Sequence, residues 1–130
     1  MYAGISGPQL TFRANNNLEG LKYRVVTLNG SLNNVNLAAA GNDGFILTND
    51  PRSGENAAVS FFGETKVQAG SGGLTINQFF AAAASGYAVG VASGAAFNGI
   101  LLGKALTAAA SGSLASVLLY KLACHSGQAL

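Results

Sequence analysis

Lys22-Tyr23-Arg24-Val25-Val26-Thr27-Leu28-Asn29-Gly30 is a run of β-branched and aromatic residues that ends on an Asn-Gly pair. Such side chains pack well on a pleated, half-buried surface, so residues 22–28 are predicted to form a strand. Asn-Gly predicts a tight hairpin, because both central residues of the favoured turn need positive φ. The return strand then falls near Val35 to Ala39. The pattern repeats downstream. Gly41 to Gly44 reads as a turn, Gly44 to Asn49 as a short strand, and Asp50-Pro51-Arg52-Ser53-Gly54 as a turn with Pro early and Gly late. Ala57 to Phe62 is a further strand, Gly63 a break, and Glu64-Thr65-Lys66-Val67-Gln68 alternates charged or polar residues with hydrophobic or β-branched ones.

The second half keeps the same rhythm. Gly70 to Gly73 leads into Leu74 to Phe80, Ser85-Gly86 into Tyr87 to Ala92, Ser93-Gly94 into Phe97 to Leu106, and Ser111-Gly112 into Leu114 to Lys121. Short strands with a turn every ~10–15 residues describe an all-β sandwich or small barrel. Phe79 to Ala84 and Ala105 to Ala110 are alanine-rich, which favours helix. Each is too short to stand alone as one, so at most one or two helical turns are expected.

Upstream, residues 1–20 lack a clear period, and Gly4, Gly7, Pro8 and Asn15-Asn16-Asn17 argue for an extended arm. Tyr2, Ile5, Leu10 and Phe12 give that arm considerable apolar surface. Two arrangements satisfy it: the arm lies across its own domain, or it reaches a neighbouring subunit and orders there. The expected organisation is an N-terminal arm (1–20), a β-domain (21–123) and a C-terminal tail (124–130). The fold class is all-β, a small single-domain barrel or sandwich-like fold.

Composition narrows the function. The chain has 130 residues, of which 49% are hydrophobic and only 9% charged, against about 25% charged in an average soluble domain. One hydrophobic core is affordable at this length. The net charge of +2 comes from seven basic residues scattered from Arg13 to Lys121. Nucleic-acid binding needs a clustered basic stripe, which is missing, so no nucleic-acid partner is expected. A surface of Ser, Asn, Thr, Gly and Ala suits contact with other protein, since charged groups are costly to desolvate. Cys124 is the only cysteine, which excludes an intrachain disulfide. The first residues lack the basic and apolar regions of a signal peptide, and no apolar run is long enough to span a bilayer. A soluble protein made in a cytoplasm, with no membrane partner, is expected.

Catalytic chemistry finds little purchase. Cys124-His125 suggests a thiol nucleophile or two metal ligands, but no further Cys or His exists to complete a site. Neighbours in a strand also point to opposite faces. Glu19, Asp43, Asp50, Glu55 and Glu64 are the acidic residues; three of them sit beside turn residues, where such side chains serve the backbone. Gly99-Ile-Leu-Leu-Gly103-Lys104-Ala105 falls one residue short of a phosphate loop and has Ala where Ser or Thr would hold magnesium. Ala69 to Gly73 is glycine-rich without a following helix. The sequence therefore predicts no enzyme, no metal and no cofactor.

From Gly63 to Tyr120 the running order is Gly63-Glu-Thr-Lys-Val, Gly73-Leu-Thr-Ile-Asn-Gln-Phe, Ser85-Gly86-Tyr-Ala, Asn98-Gly99-Ile-Leu-Leu-Gly103-Lys-Ala-Leu, Ala109-Ala-Ser-Gly112 and Leu114-Ala-Ser-Val-Leu-Leu. This stretch resembles the capsid decoration (cement) proteins of tailed bacteriophages. Asn77-Gln78 departs from the Gly-Asp that the family often carries there, and the N-terminal half and the tail are not shared. The resemblance implies a β-barrel-like domain, often trimeric, on the outer surface of an icosahedral phage head. There it would bridge copies of the major capsid protein without catalysis or cofactor. Tyr2, Ile5, Leu10, Phe12 and Arg13 are then the expected capsid or subunit contacts, since Tyr and Arg are common interface anchors. The alternative is a carbohydrate- or receptor-binding β-module of a phage head or tail fibre; the absence of Trp and the scatter of the four Tyr disfavour it.

Overall fold

The computed structural model describes residues 9–30, 33–92 and 99–124, with side chains up to residue 121. It is all-β, as expected. Strands β1 (Gln9–Ala14), β2 (Val25–Leu28), β3 (Asn34–Leu37), β4 (Phe45–Leu47) and β5 (Asn56–Ser60) close into a barrel in the order β1-β3-β2-β4-β5. Strands β6 (Gly63–Gln68), β7 (Phe79–Ala82), β8 (Ala88–Val91), β9 (Gly99–Ala105) and β10 (Leu114–Cys124) form a second sheet in the order β6-β10-β9-β7-β8.

Alternation decides what each strand buries. Ala14, Val26, Val35, Leu47, Ala57 and Val59 fill the barrel with Leu18, and Phe12 and Phe45 pack on them with ring centroids 5.4 Å apart. Val25 and Ile46 pair across β2 and β4 on the other face of the barrel wall. They meet Val67, Phe80, Leu102 and Val117 of the second sheet in one shared core. Barrel and sheet are thus welded by burial.

Polar contacts reinforce the joint. Arg24 donates from Nε to Gln68 Oε1 at 3.1 Å and from a terminal nitrogen to the Tyr87 hydroxyl at 2.6 Å. Its guanidinium lies 4.0 Å from the Tyr87 ring centroid. The Gly86 N–H reaches the Ala38 carbonyl at 3.0 Å, and its φ of 75° suits glycine.

Several expectations need correction. The hairpin after Leu28 exists, but Asn29 N–H bonds the Asn34 carbonyl at 2.9 Å, and it is Asn33 that takes positive φ. A two-residue turn would set Leu28 and Val26 opposite Ser31 and Asn33. The observed register sets them opposite Val35 and Leu37, keeping apolar residues on one face. Residues 74–78 are a turn stabilised by Gln78 N–H to Thr75 O (3.1 Å), so the strand begins only at Phe79. Phe79 to Ala82 is a strand between β8 and β9, with Ala81 and Ala82 buried. Tertiary pairing overrides alanine's helix preference there, and only a 3₁₀ turn at Ala84–Gly86 is helical. Ala105 to Ala110 closes β9 and then bends, forming no helix. Residues 9–14, expected within the arm, are barrel strand β1, paired antiparallel with β5 and parallel with β3. From Gln9 onward the segment lies across its own domain.

Candidate interaction surfaces

The five expected contact residues divide three ways. Tyr2 and Ile5 lie outside the described residues. Phe12 is half-buried against Phe45 and serves the barrel core. Leu10 and Arg13 are exposed on β1, with Leu10 paired to Val59 and Arg13 to Asn56. Only these last two remain as surface groups among the described members of the set.

The acidic residues serve the scaffold, with one exception. Asp50 accepts from the Lys22 N–H at 3.0 Å, and Glu55 from the Arg52 N–H at 2.7 Å, the turn roles that their positions suggested. Glu19 pairs with Arg52 at 3.5 Å. Asp43 pairs with Lys121 at 2.7 Å, whose ammonium also lies 4.6 Å from the Phe45 ring centroid. Glu64 has no such partner among the described residues. Gly99 to Ala105 is strand β9, and Ala69 to Gly73 is a bend. No three His, Cys, Asp or Glu come together among the described residues. His125 lies outside them, and Cys124 ends β10 opposite Gly99.

Two surfaces stand out. The first is the face of the second sheet turned away from the barrel. Leu118 stands opposite Glu64 on one side and Lys104 on the other; Lys104 faces Phe79, and Phe79 faces Val91. This row crosses all five strands. Leu114 and Leu118 are exposed on it, and Ala81, Val91 and Leu101 form a satellite apolar cluster with Phe79 and Val89. Sequence reading treated these residues only as strand formers; the register, which assembles them, is not visible in one strand at a time.

The second surface is a cleft of about 380 Å³ between β6 and the barrel. Glu64, Thr65 and Lys66 line one wall, and Gln9, Tyr23 and Thr48 the other. Gln9 Nε2 donates to Thr48 Oγ1 at 3.2 Å across the barrel wall. Thr65 is 7% exposed, and its hydroxyl has no hydrogen-bond partner among the described residues. Phe62, 57% exposed, stands beside the start of β6. The Glu-Thr-Lys alternation was the available signal: a charged, alternating segment is what a sheet edge carries.

No family model matches the chain, and no curated protein does. Among solved structures it is similar to the N base of head fiber gp8.5 in bacteriophage phi29, with a TM-score of 0.66 and 20% sequence identity. The match covers 87% of this chain and 93% of that one. The likeness is one of fold and spans barrel and sheet together.

Proposed function

We propose that this chain is a structural protein of a phage virion, bound to the outer surface of the head, which it stabilises by bridging major capsid protein subunits as a homotrimer. The observation that carries the reading is the fold: nearly all of this chain matches nearly all of a phage head-fiber base. The decoration-protein resemblance of residues 63–120 supports it and maps onto β6 to β10, the whole second sheet. The outer face of that sheet carries apolar side chains on β10, β9, β7 and β8 beside Glu64, Lys66 and Lys104, a mixture that suits contact with protein. Many modest contacts repeated over a lattice add up to a firm clamp.

The second reading is a base module that anchors a head fibre, and the likeness to the base of a head fiber favours it. Electron microscopy of heads with and without added protein separates the two. Cement gives compact density repeated at threefold or quasi-threefold positions between capsid subunits. A fibre base gives density at sparse sites, or only when a longer chain carries the module.

A further inference from the structure

Among the described strands β6 is an edge of the second sheet, paired on one side only, with β10. In an antiparallel ladder a residue's N–H and C=O point to the same side, and successive residues alternate. Gln68 sends its N–H away from β10, to the Tyr23 carbonyl at 2.9 Å. Lys66 and Glu64 therefore direct their backbone groups to that side too. The partner strand agrees: Ser116, opposite Lys66, offers its carbonyl to Leu106 at 2.7 Å on the far side. Beyond Gln68, the N–H and C=O groups of Glu64 and Lys66 make no bond off this edge among the described residues.

Exposed strand edges are templates for another chain, and they are normally shortened, bulged or covered. This edge opens onto the cleft, where among the described residues the Glu64 carboxylate and Lys66 ammonium have no ion pair and the Thr65 hydroxyl no hydrogen-bond partner. We infer that the β6 edge takes an extended segment of the shell protein as an added strand. The segment lies in the cleft, with a basic residue opposite Glu64 and an acidic one opposite Lys66. Main-chain bonds then supply affinity and the alternating charges supply register. The inference rests on the head-docking reading. A second copy's β6 is disfavoured as occupant, because each such edge has its own barrel wall standing across the cleft; a slender extended segment meets no such obstacle.

Amide exchange on the unaltered protein, free and bound to expanded undecorated heads, tests this directly. The peptide spanning residues 63–68 should exchange at Glu64 and Lys66 in the free protein and become protected on heads. Lys66→Pro removes one edge N–H without touching the ladder to β10. It should weaken head binding roughly tenfold, through the lost backbone bond and the lost Lys66 charge, with the melting temperature unchanged. If that variant is unstable, Glu64→Pro and the exchange on unaltered protein decide. Binding that leaves exchange at residues 64–66 unchanged, or that Lys66→Pro does not weaken, overturns strand addition alone. Protection that rises with protein concentration, without heads, makes a second copy the occupant and overturns it as well. Failure of the unaltered protein to bind heads overturns the docking reading, and this inference with it.

Discussion

Gly103 sits in the middle of β9, where a Cβ would run into the backbone carbonyl of Leu118. Nothing flexible can yield there, because the obstacle is the neighbouring strand's main chain. Gly103→Ala is expected to destabilise the fold by about 2–3 kcal/mol, the usual cost of overpacking. Gly112→Ala meets open space and only the strain of φ 84°, so it should cost about 1 kcal/mol. Denaturant unfolding of both variants checks the difference. Arg24 gives a second case: its two bonds, to Gln68 and Tyr87, bridge barrel and sheet. Arg24→Ala should cost about 1.5–3 kcal/mol, as for bonds to a charged group. Arg24→Lys should recover less than half, since an ammonium lacks the planar fork. Full recovery by Lys would assign the effect to charge or to packing of the aliphatic stem. Neither role was legible in the sequence. Gly103 read as part of a near-miss phosphate loop, and Arg24 as one more strand residue, because both roles depend on strands far apart in the chain.

The elements were more legible than their partners. β2, β4, β5, β6, β8, β9 and β10 fall within or close to stretches whose β-branched or alternating composition predicts them, bounded by Gly-containing turns. β1 and β7 escaped for opposite reasons. Residues 9–14 carry Gln, Thr and Arg on one face and were followed by three Asn, which reads as an arm. Phe79 to Ala82 allows a helical turn by its alanines until two neighbouring strands are there to hold it extended. A truncation follows from β1. Removing residues 1–18 deletes the strand between β3 and β5 together with Ala14 and Leu18 of the barrel core. That variant should be insoluble or lose cooperative unfolding, whereas removal of residues 1–8 keeps every described strand and should melt close to the full chain. Circular dichroism melts decide. If the longer truncation stays folded, β1 does not close the barrel.

At the scale of the whole molecule, two sheets share one core, and the surface left over is polar, weakly charged and crossed by a row in which Leu118, Phe79 and Val91 stand with Glu64 and Lys104. The 9% charge of the sequence suits the proposed assembly role. The sequence did not make the surface legible, because the row from Glu64 to Val91 exists only when five strands take their register. Of the contact residues expected on the arm, Phe12 belongs to the core, whereas Leu10 and Arg13 are exposed on β1. The central claim, a head-surface structural protein, is tested most directly by mixing the purified chain with expanded, undecorated heads and counting bound copies after sedimentation. The account expects saturable binding at a fixed multiple of the capsid-protein copy number. A chain that stays in the supernatant at every concentration, and binds glycans on an array instead, would contradict it.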